Sequence, residues 1–191
     1  DVHARRRIQA MMSQETHLFD GSIRDNLLIA LPESEVEAAN VAGNGEVGAK
    51  TVDSRRQQLA AQSAEGDAVQ VAAADGLDAR LRQALAKASV LDFIDSLPDG
   101  PDTQVGELGD RLSEGERQRI GLTRVFLRNA DLVLFDEPTS RLDALNEAII
   151  LRSIHAMAVG EQHADKERGA AVVLVSHRES AMRIADAVLN L

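Results

Sequence analysis

The chain has 191 residues, room for one good core but not for two large domains. A formal net charge of −10 argues against a nucleic-acid surface, which needs clustered Lys and Arg to meet phosphates. With no cysteine there is no disulfide framework or thiolate chemistry, and with four Phe, no Trp and no Tyr the core has to be aliphatic.

The chain starts at Asp1 without an initiator Met and runs into a strand-like segment, Ile8 to Met12, which Gln14 closes. A glycine-containing turn, Phe19-Asp20-Gly21, comes next, and Ser22 with Asp25 three residues on predicts a short capped helix presenting Ile23, Asn26 and Leu27 on one face. From Ser34 to Gly76 the residues are dominated by Ala, Gly, Gln, Glu, Asp and Asn, with Leu59 the only Leu, Ile or Phe. That composition predicts a mobile or weakly helical insertion over 32–76, with Ser54 to Ala64 as a candidate isolated helix. Order resumes at Leu77, where Leu77, Leu81, Leu85 and Ala88 make a helical stripe that Val90, Leu91, Phe93, Ile94 and Leu97 extend; Pro98-Asp99-Gly100-Pro101 then breaks it.

Arg111 to Asp143 reads RLSEGERQRIGLTRVFLRNADLVLFDEPTSRLD. Ser113 is a good N-cap and Glu116 completes a capping box, ahead of a helix whose apolar face is Leu122, Val125 and Phe126 and whose polar side is Arg117, Gln118, Arg124 and Arg128. A Ser hydroxyl, a Gly backbone and free N–H groups at a helix start suit an anion, though a well-capped helix without a ligand uses the same residues. Leu132 to Phe135 is short, continuous and apolar, as in a buried parallel strand. Asp136 and Glu137 end it and Pro138 stops the ladder, which puts two carboxylates at the carboxyl edge of a sheet, where open α/β folds bind ligands. In phosphoryl transfer one such acid would hold Mg²⁺ and the other polarise the attacking water; an isolated Asp-Glu pair is more often a solvated corner.

Asp143 is a plausible N-cap for a helix with Ile150, Ile154 and Met157 on its core face. Ala171 to Val175 predicts a second buried strand ending in Ser176-His177-Arg178, and Ala187 to Leu191 reads as another strand. The longest apolar run, Ala170 to Val175, is far short of the ~20 residues that span a bilayer. His3, His17, His155 and His163 have no chemical company and read as surface residues.

The combination of these motifs, in this order, resembles the ATP-binding cassette of ABC transporters. Leu112 to Glu116 are similar to the signature motif, Leu132 to Glu137 to the Walker B strand, Ser140 to Asp143 to the D-loop, Gln14 to the Q-loop glutamine and His177 to the switch histidine. The resemblance implies an α/β fold: part of a P-loop-NTPase-like parallel-sheet core with an ABC-type helical subdomain. Residues 1–31 would be the Q-loop part of the core, 77–128 the helical subdomain with the signature helix, and 129–191 the core with Walker B, D-loop and switch histidine. The 32–76 insertion departs from the family. Phe19 to Ile23 is similar to the segment after the Q-loop in exporters whose permease and cassette share one chain.

The resemblance further implies ATP and Mg²⁺ as cofactors and ATP hydrolysis that powers export. The partners would be a second cassette, as homodimer or heterodimer, and a permease domain upstream in the same chain, at the cytoplasmic face of the membrane. In that scheme Glu137 is the general base, Asp136 and Gln14 serve the metal, and His177 contacts the γ-phosphate. Ser113, Gly115 and Glu116 reach the partner's ATP, and Asp143 links the two sites. Three residues depart from the family's usual pattern: Glu114 in place of Gly, Glu116 in place of Gln, and the large Arg141 in the D-loop. A carboxylate beside a γ-phosphate is unfavourable unless it points away or meets an Arg. No Gly-x-x-x-x-Gly-Lys-Ser/Thr loop occurs; Gly43-Asn44-Gly45 and Gly48-Ala49-Lys50-Thr51 lack its spacing and its preceding strand. The resemblance puts that loop ahead of Asp1, so the chain reads as the C-terminal portion of a cassette, inactive alone. The rival readings are a degenerate regulatory cassette that pairs with an active one, and a soluble cassette of translation or DNA repair; the acidic charge and the Phe19 to Asn26 stretch oppose the latter.

Overall fold

The computed structural model describes residues 8–32, 34–37, 64–160 and 169–190, and of residues 64–75 the backbone alone. In chain order the elements are β1 (Gln9–Met12), α1 (Ile23–Leu28), α2 (Ala64–Lys87), α3 (Leu91–Ser96), α4 (Glu114–Arg128), β2 (Leu132–Asp136), α5 (Ala144–Val159), β3 (Ala171–Val175) and α6 (Glu179–Met182), with single 3₁₀ turns at Gly100–Asp102 and Glu107–Gly109.

The three strands form one parallel sheet in the order β1-β2-β3, so the apolar strand before the two acids lies in the middle. Met12 stands opposite Phe135, and Phe135 opposite Leu174. Alternation along each strand then sorts the side chains. Ala10, Met12, Val133 and Phe135 are buried, and Val172 and Leu174 pack against the same core. The other face carries Met11, Leu134 and Val173 in register, with Met11 66% and Val173 49% exposed. β3 therefore corrects the expectation of a buried strand. Its continuous apolar run is covered on one side only, and among the described residues no element closes the other.

α4 is the central helix of the core. Its Ile120, Leu122, Phe126 and Leu127 are buried against α1 and α2, which contribute Ile23, Leu27, Leu81 and Leu85. Gly121 lets it approach the segment after β1: a Cβ there would lie 2.5 Å from Thr16 Oγ1. The helix is enclosed on several sides, so Gln118 and Thr123 are as buried as its apolar residues.

α2 starts at Ala64 rather than at Leu77, so residues 64–76 of the expected insertion are helical. Five alanines in Ala64–Asp75 explain this, since Ala is the best helix former. An ion pair between Arg80 and Glu35 ties α2 to the single helical turn at 34–37. The Ser54 to Ala64 helix and most of the insertion lie outside the described residues. Residues 187–190, expected to form a strand, pair with no strand among the described residues; Leu189 is largely open to solvent. A strand needs a ladder partner, and β3 offers its edge to no described segment.

Candidate functional site

Because the strands are parallel, the segments that leave them share one edge. Gln14 follows β1, Asp136 and Glu137 end β2, and Ser176-His177 follow β3. Asp136 is the last residue of the ladder, opposite Val175. Glu137 then turns into the left-handed region at φ +50°, a conformation costly for a residue with a side chain. Its N–H still donates to Val175 O at 3.0 Å, and its carbonyl accepts Gln118 Nε2 at 3.1 Å and Ser140 N–H at 3.3 Å.

This turn swings the Glu137 side chain toward the end of β3. Oε1 accepts the main-chain N–H of His177 at 3.1 Å and the imidazole Nδ1 at 2.8 Å. A carboxylate oxygen only accepts, so this contact assigns the proton to Nδ1. The Glu137 side chain is 17% exposed, whereas that of His177 is 75% exposed. Glu137 Oε2 is buried and has no hydrogen-bond partner among the described residues. An acceptor in that condition is costly unless something else fills it.

The start of α4 is self-capped. Ser113 Oγ accepts Glu116 N–H at 3.3 Å, and Glu116 folds back so that its carboxylate takes Ser113 N–H at 2.7 Å. Glu114, the neighbouring acid, forms an ion pair with Arg141 in the loop after β2. The first turn of α4 touches that loop here: a Cβ on Gly115 would lie 3.9 Å from Arg141 O. Glu114 and Arg141, each unusual for the pattern they resemble, thus neutralise one another.

Asp143 caps α5, accepting N–H of Leu145 and Asn146 at 3.0 Å each. These bonds, first that from Asn146, hold its carboxyl below the usual aspartate range. A lowered folded value means the stabilisation is complete above the unfolded value of about 3.9 and fades as pH falls through the folded one. Asp143→Ala should therefore lower the urea midpoint at neutral pH, with the gap to the parent protein closing in acid; a gap independent of pH would show that the charge plays no part.

Several sequence-chosen residues come together and others do not. Glu137 and His177 touch, while Gln14 is exposed in the turn beyond β1, at the same edge and without a hydrogen bond to either among the described residues. Ser113, Gly115 and Glu116 sit together and reach the Asp143 loop through Glu114 and Arg141. His17 and His155 are not buried, as expected; His3 and His163 lie outside the described residues.

Three contributors escaped the sequence. Gln118, placed by periodicity on the polar side, is only 1% exposed and grips Glu137. Arg178 pairs with Glu147 and donates to Ser140 O at 3.2 Å, tying the segment after His177 to the loop before Asp143. Arg124 reaches back to Asn26 O and His17 O at 2.8 Å each, beside a cavity of about 240 Å³ lined by Met12, Ser13, Thr16 and Ile29. Burial pushes the Arg124 guanidinium below its ordinary value, and carbonyls compensate it. A basic residue beside His177 was the one available signal; Gln118 and Arg124 gave none.

Comparison with known proteins places this arrangement. The family model described as "ABC transporter" matches residues 1–140. A probable ABC transporter ATP-binding/permease protein of Haemophilus influenzae is 46% identical over 123 residues, 64% of this chain and 21% of that protein. The mycobactin import ATP-binding/permease protein IrtB of Mycolicibacterium smegmatis is 33% identical over 191 residues, 100% of this chain and 24% of that protein. The β-(1→2)glucan export ATP-binding/permease protein NdvA of Agrobacterium fabrum is 42% identical over 114 residues, 60% of this chain and 18% of that protein. The chain thus spans about a quarter or less of these relatives. Among solved structures, a bacterial Atm1-family ABC exporter with ATP bound shares the fold, at a TM-score of 0.60 and 24% identity over 92% of this chain and 22% of that one. The match over 1–140 shows that the chain belongs to the ABC transporter family, as an ATP-binding domain.

Proposed function

We propose that the chain supplies the water-activating edge of an ATPase site that powers export through a permease domain of the same protein. The observation that carries this is Glu137: one carboxylate oxygen is anchored by His177, and the other is buried with no partner among the described residues. An acceptor held in place and left unfilled suits a water molecule whose proton is to be removed. In this reading Glu137 orients and deprotonates the water that attacks the γ-phosphorus, the bond to the ADP leaving group breaks, and His177 stays beside the γ-phosphate. Positioning and charge supply the rate without a covalent intermediate.

Among the described residues no cluster of three or more His, Cys, Asp or Glu could cage a metal. Mg²⁺ is usually held by one or two carboxylates and by substrate phosphates, and Asp136 at the end of β2 is a carboxylate of that kind. Asp136 and Gln14 would hold it here, and when bound it would offset phosphate charge. Ser113, Gly115 and Glu116 would face ATP on a second cassette, with Asp143 near the junction. The 1–31 and 129–191 segments would form the core, 77–128 the helical subdomain and 32–76 an insertion.

Permease partnership is supported by relatives whose names join ATP-binding and permease functions, and by Phe19 to Ile23. Those names include both export and import, so the direction of transport rests on the Phe19 to Ile23 resemblance. Among the described residues no helix is long and apolar enough to cross a membrane. A permease partner in the same protein would put the site at the cytoplasmic face of the membrane. The alternative of a degenerate regulatory cassette drew on the Glu114 charge, and Arg141 pairs with that charge.

The test is calorimetric titration with Mg-ATP of the 191-residue chain and of the intact protein, with ATPase rates alongside. We expect the intact protein to bind and hydrolyse, and the chain alone, which has no phosphate loop in its sequence, to bind no nucleotide at micromolar concentration. An intact protein without turnover would return the degenerate cassette as the answer. Micromolar binding by the 191-residue chain would show that the phosphate loop is not what the site depends on.

A further inference from the structure

We infer that Gln118 is a positioning residue for Glu137, holding α4 and the end of β2 in the one geometry that aims the carboxylate. This rests on the reading of Glu137 as the base. Gln118 is 1% exposed, and its Nε2 donates to Glu137 O at 3.1 Å. Its other polar atom, Oε1, is buried and has no partner among the described residues. A half-satisfied buried amide is a poor way to fill space, since Met or Leu would occupy a similar volume with no orphaned acceptor. Packing alone therefore does not account for the residue.

Its role in holding Glu137 explains it better. Glu137 is one of few described residues with a side chain at positive φ, and such a conformation persists only where its surroundings over-determine it. Val175 fixes the N–H of Glu137, and Gln118 with Ser140 fixes the carbonyl. With both peptide ends clamped, the Cα–Cβ direction is set. His177 cannot do this alone, because it grips a single carboxylate oxygen and is itself largely in solvent. Gln118 lies just over one helical turn from Ser113. Arg117, beside it, donates to Gly109 O and Leu112 O at 3.1 Å and 2.7 Å and locks the helix start to the loop before it. Gln118 thus connects the start of α4 to the main chain of the residue that bears the carboxylate, through one hydrogen bond.

The experiment uses the intact protein with Gln118→Met, and Gln118→Leu as a second, shorter replacement, beside Glu137→Gln. Steady-state ATPase kinetics, Mg-ATP binding and melting temperature are read for each. A carboxylate misplaced by about 1 Å loses on the order of 10²-fold in rate. We therefore expect kcat to fall by about that factor with KM for Mg-ATP and melting temperature nearly unchanged. Wild-type kcat in the Gln118 variants, with Glu137→Gln inactive, overturns the positioning role and leaves the base standing. Parallel losses in melting temperature, KM and kcat for both replacements would make Gln118 a structural residue and also overturn it. Full turnover by Glu137→Gln removes the base reading, and this inference with it.

Discussion

Glu137→Gln in the intact protein is expected to abolish ATP turnover while leaving nucleotide binding nearly intact. The amide keeps the shape of the carboxylate, and its carbonyl oxygen can still take the two N–H groups of His177 that Oε1 now accepts. Its NH₂ then falls where Oε2 lies buried and unpartnered, and a donor there cannot accept a proton from water. General-base steps are worth about 10²–10⁴-fold, so the loss should be large. On the proposed reading the substitution also removes a negative charge that would face the γ-phosphate, so trapped nucleotide should accumulate. Asp136→Asn should differ in kind, because if Asp136 holds the metal as proposed, its amide would be a weaker ligand and lower Mg-ATP affinity itself. ATPase rate and trapped nucleotide, measured for both variants, separate the two roles. Near-normal hydrolysis by Glu137→Gln would leave Glu137 as a corner carboxylate.

The largest effect on stability should come from Phe135→Ala. Phe135 is 1% exposed in the central strand, flanked in register by Met12 and Leu174. Aromatic volume is scarce in this chain, so few rings are at hand to move into the space. Buried Phe→Ala changes cost about 3–5 kcal/mol. Set against total stabilities of about 5–15 kcal/mol, that is a large share. Phe19→Ala, at a residue 41% exposed, is the control and should cost far less. Urea midpoints for the two variants give the comparison, and equal midpoints would mean that the sheet core is not built around Phe135.

Much of this was legible in the residues because local rules and tertiary packing agree there. Ser22, Ser113 and Asp143 cap the helices that their spacing predicts. Leu132 to Phe135 is the central strand, and Asp136 and Glu137 do lie at its carboxyl edge. The failures share a cause, which is that periodicity describes one element and burial depends on its neighbours. Gln118 lies off the apolar stripe of α4 yet is buried, because the helix is covered on more than one side. Val173 looks like a core residue in sequence, yet nothing described covers it. The left-handed turn at Glu137 carries no mark in sequence, since Glu has no preference for it. Nor could spacing reveal that Glu114 meets Arg141, since one begins α4 and the other lies in the loop after β2.

The order of strands in the sheet also constrains how the chain can fold. Among the described residues β1 pairs with β2 alone, and Gln9 finds Leu132 only after all the intervening described helices have been passed. A strand of four residues has no independent stability, so β1 stays without structure until β2 exists. Closing so long a loop adds little to the equilibrium cost, because that cost grows only with the logarithm of length. It slows the reaction instead, as non-local pairing does in general. During synthesis, which delivers the N-terminal side first, the helices α1 to α4 can collapse on local contacts while Met11 and Met12 wait. The edge that brings Gln14 to the same side as Asp136 and Glu137 is therefore among the last parts of the molecule to form.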